Sequence, residues 1–319
     1  MRVVTGSDDA ALAAARTAGA VVTIGAYDGV HLGHQAVLRL VRELADARGL
    51  EAALVTFDRH PAEVVRPESA PRLLTTLEQR LELLDATGDL DLCWVLTFDE
   101  ARSKEAAEDF VREVLVDGVG ARLVVVGADF HFGHRRGGNV PLLERMGAEF
   151  AFEVLGLGLV AVEGDATGVP YSSTRIRELL AKGDVAEAGR LLGRPHEVRG
   201  VVERGDQRGA EHLGMPTANL TVPERICLPA DGVFAGTFVA EGVVERPAAI
   251  SVGTRPTFYE DGDVLVEAYV LDFDGDLYGQ RVKVRFREWV RGQERFDSTE
   301  ALVEQMNADV EATRRILAV

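Results

Sequence analysis

Two histidines three residues apart mark the segment of this sequence that is best suited to phosphate chemistry. His31 and His34 close the run Gly25-Ala-Tyr-Asp-Gly-Val-His-Leu-Gly-His34, which lies between a predicted strand and a predicted helix. Glycines in this run let the backbone turn tightly and approach a ligand. The first N–H groups of the helix favour a bound phosphate, and the imidazoles can stabilise charge on a leaving pyrophosphate. The segment therefore predicts nucleotidyl transfer; the alternative is two surface histidines in an ordinary loop.

A second histidine pair has the same spacing in a different setting. His131-Phe-Gly-His134 is followed by Arg135-Arg-Gly-Gly138 rather than by a predicted helix. We interpret this segment as a glycine and arginine loop over a ligand, with Asp129 at the end of the preceding strand. The four histidines could also form a zinc site, but their spacing is not a common one for zinc ligands and no cysteine supports it.

The run Ser172-Ser-Thr-Arg-Ile-Arg177 precedes a short helical pattern. Its hydroxyl groups can cap a helix, and its two arginines can grip phosphates with their planar guanidinium groups. Taken alone, the segment favours the simpler alternative of an ordinary N-cap with surface arginines. Its position downstream of the two histidine loops favours phosphate binding instead.

Oxygen ligands and one carboxylate stand out in the last third of the chain. In Pro216-Thr-Ala-Asn219, a hydroxyl and an amide oxygen two residues apart lie on the same side of an extended chain and suit Mg²⁺. Glu267 lies within an apolar predicted strand, where a carboxylate is costly unless it has a partner or a use, such as accepting a proton from a substrate hydroxyl. The alternative for residues 216–219 is an ordinary β-turn segment. The alternative for Glu267 is a position on the solvent-facing side of its strand.

The elements that must position these residues change in character along the 319 residues. Apolar strand-like runs at 21–24, 52–57, 93–96 and 123–126 alternate with helical patterns at 35–47, 77–86 and 104–115. This alternation predicts an α/β Rossmann-like nucleotidyltransferase domain, with a parallel sheet and helices on both faces. Both histidine loops follow strands, so both should lie at the carboxyl edge of the sheet, where such folds bind ligands.

Strand-like runs follow one another directly after about residue 195, at 197–203, 233–240, 248–252, 265–271 and 281–286. They predict an antiparallel β-barrel or sandwich, with a C-terminal helix that begins after Asp297 or Ser298. We expect the domain boundary within residues 181–194 and divide the chain into domains 1–185 and 186–319.

Composition limits the classes of partner. The formal charge of −17 disfavours nonspecific nucleic-acid binding, although a local glycine-rich loop can still hold ATP. No apolar run is long enough to predict a transmembrane helix, and the first residues lack the apolar core of a secretory signal. Cys93 and Cys227 show no metal or redox spacing, which fits a reducing environment. We therefore expect a cytoplasmic protein with no nucleic-acid or membrane partner.

Taken together and in order, these segments resemble the prokaryotic bifunctional riboflavin kinase/FAD synthetase family, whose second activity is FMN adenylyltransferase. Residues 23–34 are similar to the nucleotidyltransferase loop of the family, and 172–177 to its Ser-Ser-Thr-x-x-Arg motif. Val55-Thr-Phe-Asp-Arg-His-Pro61 and 126–133 are similar to its flavin-side loops. The kinase half of this family is a barrel. Similar to segments of it are Leu213-Gly-Met-Pro-Thr-Ala-Asn219, 251–254 and 266–278.

The resemblance implies two reactions that use riboflavin, FMN, ATP and Mg²⁺, in a monomer or weak homo-oligomer. In the first domain it implies an ATP site made by Gly25, Asp28, Gly29, His31, His34, Ser173, Thr174 and Arg177. It implies a flavin site there made by Phe57, His60, Pro61, Asp129 and Phe130. In the kinase domain it implies an ATP site made by Gly205, Gly209, Gly214, Thr217 and Asn219. The implied catalytic residues are His31 and His34 for adenylyl transfer and Glu267 as the kinase base, with Thr217 and Asn219 holding the metal.

The sequence departs from the family pattern mainly in the kinase half, at Glu211, Met215, Arg255 and Tyr269. A fifth departure, Arg59, lies in a flavin-side loop. An acid such as Glu211 would repel nucleotide phosphates unless its loop turned it outward. The alternative to a bifunctional enzyme is therefore an FMN adenylyltransferase with a weakened or altered kinase domain.

Overall fold

The computed structural model describes residues 1–6, 9–158, 170–203, 217–254 and 264–319. Contacts divide the chain into two compact units, Met1–Ser172 and Ser173–Val319, which we call unit 1 and unit 2. This contact boundary lies before the domain boundary predicted after residue 185, because the two short helices that precede the barrel are grouped with it. The functional division at 185 stays a prediction.

Unit 1 is built on a six-stranded parallel sheet with the order β1-β4-β3-β2-β5-β8. Its strands are β1 (Arg2–Thr5), β2 (Ala20–Ile24), β3 (Glu51–Phe57), β4 (Leu92–Leu96), β5 (Ala121–Gly127) and β8 (Glu153–Leu157). A separate antiparallel pair is formed by β6 (His131–Phe132) and β7 (Gly138–Asn139). The helices are α1 (Asp9–Ala18), α2 (Leu32–Asp46), α3 (Pro61–Val65), α4 (Leu77–Thr87), α5 (Glu100–Ser103), α6 (Ala107–Phe110) and α7 (Val140–Phe150).

Alternate strand residues fill two hydrophobic cores on opposite faces of this sheet. In β2, Val22 and Ile24 belong to one core and Val21 to another; in β5, Val124 and Val125 divide in the same way. Both faces are therefore covered, which explains why the strands read as continuous apolar runs. The predicted Rossmann-like architecture is confirmed.

Chain direction explains where ligands can bind in unit 1. β2 lies between β3 and β5, so successive connections leave its neighbourhood toward opposite sides of the sheet. A crevice opens at such a point, beyond the carboxyl ends of the strands. The loops that follow β2, β3 and β5 meet at this edge.

Local capping explains where the predicted elements of unit 1 were wrong. The helix predicted over 104–115 begins only at Ala107 and continues as a π-helix over Val111–Val116. Asp99 caps the separate short helix α5, whose C-cap is Lys104. The sequence patterns also missed α1, α7 and the edge strands β1 and β8, because edge strands lack a long buried run; Val3 in β1, for example, is exposed.

Unit 2 begins with α8 (Ser173–Leu180) and α9 (Val185–Leu192) and continues as a closed antiparallel barrel. The barrel strands are β9 (His196–Glu203), β10 (Ala218–Thr221), β11 (Gly232–Ala240), β12 (Val243–Thr254), β13 (Val264–Val270) and β14 (Arg281–Gly292). Their order is β10-β13-β12-β11-β14-β9, and pairing of β9 with β10 closes the ring. The predicted barrel is confirmed. Its core is aromatic: the ring of Phe234 meets Phe286 and Trp289 edge-on, with centroids 5.3 and 5.1 Å apart.

The last helix, α10 (Thr299–Leu317), is tied to the barrel by a largely buried ion pair. Ser298 caps this helix by accepting a hydrogen bond from Ala301 N at 3.2 Å, which decides between the two predicted caps. Arg291 of β14 donates to both carboxylate oxygens of Asp309, at 2.8 and 2.7 Å. Gln305 donates to the same carboxylate at 3.0 Å.

Replacing Asp309 by Ala should destabilise unit 2 by about 3–5 kcal/mol, because it leaves the Arg291 guanidinium largely buried without its carboxylate. Urea unfolding followed by Trp289 fluorescence, in a Trp94→Phe background, measures this loss. The double change Arg291→Met/Asp309→Leu removes both charges and should cost less. An equal loss in the two variants would contradict the explanation from buried charge.

Candidate active sites

The first candidate site is the loop between β2 and α2. His31 is the N-cap of α2, and its Nδ1 accepts a hydrogen bond from His34 N at 3.2 Å. The rings of His31 and His34 stack with centroids 3.6 Å apart. Because Nδ1 of His31 accepts an N–H, its own ring hydrogen is assigned to Nε2. The predicted histidine pair is thus brought together at a helix N-terminus.

This loop is held in an unusual backbone conformation. Tyr27, Gly29 and Val30 all have positive φ angles, of 49°, 84° and 41°, which are rare outside glycine and costly for β-branched valine. Gly33 has no room for a side chain, since an added Cβ would lie 2.7 Å from Cβ of Tyr171. An added Cβ at Gly25 would lie 3.1 Å from the Tyr27 ring. Gly29 therefore permits the tight turn that the sequence predicted, while Gly25 and Gly33 permit close packing of Tyr27 and Tyr171.

The second histidine of the pair is kept neutral by its surroundings. Burial, reinforced by the electrostatic influence of His31 and Arg80, holds the pKa of His34 well below its ordinary value. Its Nδ1 is buried and has no hydrogen-bond partner among the described residues. A buried polar atom without a partner costs free energy, so a ligand that supplied one would be favoured here.

Asp28 forms hydrogen bonds within the protein. Its buried carboxylate accepts hydrogen bonds from Leu74 N at 3.0 Å and from Thr75 N and Oγ1 at 3.1 and 3.2 Å. Thr75 Oγ1 in turn accepts a hydrogen bond from Gly29 N at 3.1 Å. Asp28 therefore anchors the loop, a role that its sequence position did not indicate, and its contact with ATP stays a prediction.

A cavity of about 960 Å³ lies at the same edge of the sheet. Among the predicted flavin residues, it is lined by Phe57, His60, Pro61 and Phe130. Asp129 is exposed and is not among the lining residues.

Aromatic rings that the sequence patterns did not single out form much of the cavity wall. Phe98, Phe110 and Phe132 all line it. The Phe98 ring meets Phe57 edge-on at 5.2 Å, and the Phe132 ring stacks on Phe130 at 5.4 Å. Flat aromatic walls suit a planar aromatic ligand.

The remaining histidines of unit 1 have structural partners. His60 caps α3 through a hydrogen bond from Ala62 N at 3.1 Å. In the loop after β5, Nδ1 of His131 lies 2.7 Å from Asp129 O, and Nδ1 of His134 lies 3.2 Å from Ser103 O. Within the described residues, no group of three or more His, Cys, Asp or Glu side chains could hold a metal ion. The zinc alternative therefore has no support in this part of the chain.

The predicted ATP residues Ser173, Thr174 and Arg177 lie in α8, at the start of unit 2. This helix buries Ile176 and leaves Thr174 exposed. Their contact with ATP stays a prediction.

The second candidate site is a cavity of about 240 Å³ in unit 2. Thr217 and Glu267 both line it, together with Tyr269 and the α10 residues Leu302 and Met306. The predicted base and one predicted metal ligand are thus brought to one place.

Strand register adds Asn219 to this site. Asn219 of β10 is paired directly with Glu267 of β13, and Ser251 of β12 flanks Glu267 on the other side. The amide oxygen of Asn219 is buried and has no hydrogen-bond partner among the described residues. Thr217 and Asn219 are hard oxygen donors, and this unpartnered oxygen fits a bound Mg²⁺. Ser251, which accepts a hydrogen bond from Gln293 at 2.9 Å, was not predicted as a site residue.

Several predicted features of the kinase half lie outside the described residues: Gly205, Gly209, Gly214, Glu211, Met215 and Arg255. The remaining kinase departure, Tyr269, lines the cavity. In unit 1, Arg59 is exposed and forms an ion pair with Asp58 at 3.2 Å.

Comparison with known proteins finds a family model for each half of the chain. Residues 13–174 match the FAD synthetase family model, and residues 192–317 match the riboflavin kinase model. A bifunctional riboflavin kinase/FMN adenylyltransferase of Pseudomonas fluorescens is 39% identical over 94% of each chain. The chain belongs to the bifunctional riboflavin kinase/FMN adenylyltransferase family. Members from Listeria monocytogenes and Escherichia coli K12 are 34% and 35% identical over at least 90% of each chain.

A solved structure from Streptococcus pneumoniae, titled a macrolide-efflux protein, has a TM-score of 0.83 and 30% identity. The match covers 98% of this chain and 99% of the chain in that structure. Among the described residues, no helix combines the length and apolar character that crossing a membrane requires. The chain is a transferase of flavin biosynthesis with both family domains, and these comparisons give no support to an enzyme with adenylyl transfer alone.

The lowered pKa of His34 predicts how acid affects unit 1. As the pH falls below about 6.5, the unfolded chain takes up a proton that the folded protein does not. The free energy of unfolding should therefore fall with pH, by up to about 1.4 kcal/mol per unit from this group. Urea unfolding at about pH 7.5 and about pH 5.5, followed by Trp94 fluorescence in a Trp289→Phe background, measures the loss. It should be smaller in His34→Gln; equal losses would contradict the assignment.

Proposed function

We propose that unit 1 transfers AMP from ATP to FMN at the loop between β2 and α2, and that unit 2 phosphorylates riboflavin with ATP at the Glu267 cavity. For unit 1 the supporting observation is the stacked histidine pair at the N-terminus of α2, at the sheet edge that carries the aromatic cavity. For unit 2 it is the grouping of Thr217, Asn219 and Glu267.

In adenylyl transfer, an oxygen of the FMN phosphate attacks the α-phosphorus of ATP. The bond from that phosphorus to the bridging oxygen breaks, and pyrophosphate leaves with the electron pair. Nε2–H of His31 and the first N–H groups of α2 donate hydrogen bonds to the phosphates. The aromatic cavity holds the isoalloxazine ring and so aligns the attacking oxygen.

In the kinase reaction, the terminal ribityl hydroxyl of riboflavin attacks the γ-phosphorus of ATP and ADP leaves. Glu267 accepts the hydroxyl proton. Thr217 and Asn219 would hold Mg²⁺, which would supply positive charge to the phosphates. The α10 side chains Leu302 and Met306 provide an apolar wall for the flavin.

Direct contacts of Gly25 and Gly29 with ATP, a cytoplasmic location, and a monomeric or weakly homo-oligomeric state remain our predictions. We likewise predict no nucleic-acid partner. Chromatographic analysis of products from riboflavin with MgATP, and separately from FMN with MgATP, tests the two reactions. Formation of neither FMN nor FAD from riboflavin, with FAD still formed from FMN, would refute the kinase assignment.

Glu267→Gln should slow FMN formation by about 10²–10⁴-fold, because the amide cannot accept the hydroxyl proton. FAD synthesis from supplied FMN should be unchanged, since the Glu267 cavity takes no part in it. Both rates are measured on the same preparation. Glu288→Gln, an exposed acid on β14, is the matched control and should leave both rates intact. A normal kinase rate in Glu267→Gln would rule out its role as base.

His31→Ala should reduce FAD synthesis from FMN by about 10²–10³-fold, the usual effect of removing one donor to developing charge. FMN formation from riboflavin should continue at its normal rate. His31→Asp separates the two roles of this residue, because aspartate restores an N-cap for α2 while its charge repels phosphate. If the folded Asp variant made FAD at the normal rate, His31 would have no contact with the phosphates.

A further inference from the structure

The loop between β2 and α2 needs external restraints. Tyr27, Gly29 and Val30 are all in the left-handed region, and such residues keep this conformation only where their surroundings over-determine it. His31, which immediately follows, carries the ring assigned to the phosphates. A shift of this backbone would therefore displace the His31 ring from the reacting groups.

One stretch of chain, residues 74–80, supplies these restraints. Leu74 and Thr75 hold Asp28 and Gly29 through the hydrogen bonds described above. Arg80, in the second turn of α4, donates from Nη1 to Ala26 O at 2.8 Å. The start of α4 is itself fixed by a capping box, in which Thr76 and Gln79 satisfy each other's backbone N–H groups.

Arg80 also reaches the flavin side of the site. Its Nη2 donates a hydrogen bond to Phe57 O, at the end of β3. The ring of Phe57 lines the aromatic cavity. A single planar guanidinium thus connects the loop assigned to ATP with the strand end that carries a wall of the flavin cavity. A lysine ammonium has no such fork with which to hold two fixed carbonyl groups.

The charge on Arg80 is unusual for its position. The residue is only 4% exposed, and burial lowers the pKa of its guanidinium, while the charges of Asp28, Asp58 and Glu63 oppose that shift. Burying a cation is costly, yet arginine does not give up its proton. Its positive charge contributes to the lowered pKa of His34, which lies beside the predicted phosphate site.

We propose that Arg80 is a positioning residue for adenylyl transfer. It fixes the ATP loop relative to the flavin cavity, so that the FMN phosphate and the α-phosphorus of ATP meet in line. This inference rests on the function proposed for unit 1. Because both substrates keep their own binding contacts, the loss of Arg80 should affect alignment more than binding.

Arg80→Met and Arg80→Lys test this proposal through steady-state FAD synthesis from FMN and MgATP. Arg80→Met should lower kcat by about 10²-fold with little change in KM for either substrate, because small misplacements of reacting groups have effects of this size. Arg80→Lys, which keeps the charge but not the fork, should show a smaller loss of kcat. FMN formation from riboflavin, measured on the same samples, should stay normal.

Arg42→Met is the matched control for loss of a partly buried arginine in unit 1. Arg42 pairs with Asp46 and Asp91 at 2.6 and 2.7 Å and has no contact with the loop described here. It should lower the stability of unit 1 without lowering kcat for FAD synthesis. Equal losses of kcat in Arg42→Met and Arg80→Met would show that the effect is only structural.

A wild-type kcat in folded Arg80→Met would overturn the proposal. If that variant does not fold, Arg80→Lys decides: a wild-type kcat there would overturn it, and a lowered kcat with unchanged KM would support it. Failure of the wild-type enzyme to make FAD from FMN would instead refute the proposed function of unit 1, so the two failures are distinguishable.

Discussion

The N-terminus of α2 imposes the constraint on which the rest of unit 1 depends. To present backbone N–H groups and two stacked imidazoles together, the preceding loop must turn with Tyr27, Gly29 and Val30 at positive φ. Gly29 adopts its positive φ without strain, and Gly33 lets Tyr171 pack against the first turn of α2. The turn is retained because Asp28 is bound from outside the loop by Leu74 and Thr75. The sheet, in turn, places the loop beside the aromatic cavity.

The same arrangement explains how a protein with a net charge of −17 can handle polyphosphates. Net charge describes the field far from the surface, whereas a bound phosphate senses the groups within a few ångströms. At this loop those groups are helix N–H donors, the neutral ring of His34 and the buried Arg80 cation. None of them needs a basic surface. The acidic composition therefore argues against nucleic acid and is compatible with ATP.

Unit 2 builds its candidate site differently, because a barrel has no helix N-terminus at its centre. Its cavity lies between strand residues and α10, and the Arg291–Asp309 pair holds that helix in place. Register brings Asn219 next to Glu267, so an acceptor of protons and a hard oxygen ligand face the same space. Both units thus rely on an arginine that anchors another element and lies outside the predicted set of site residues.

Local patterns in the sequence were sufficient to predict the parallel sheet, the barrel, a helix that begins just after the first histidine loop and the presence of Glu267 in an apolar strand. Burial periodicity, glycine spacing and capping residues act over a few neighbouring positions, so they can be recognised from the sequence. The order of the motifs was also sufficient to identify the family. Edge strands such as β1, and the π-helical turn after Phe110, carry no comparable local signal.

Only the tertiary structure showed that Asp28 anchors the loop, that Phe98, Phe110 and Phe132 line the aromatic cavity, and that Arg80 bonds both this loop and the end of β3. In each case the interacting residues are far apart in the chain, and they meet because strands from different places end at one edge of the sheet. Residue type and spacing determined which groups could act on phosphates. Long-range packing decided which of them act together and which hold the others in place.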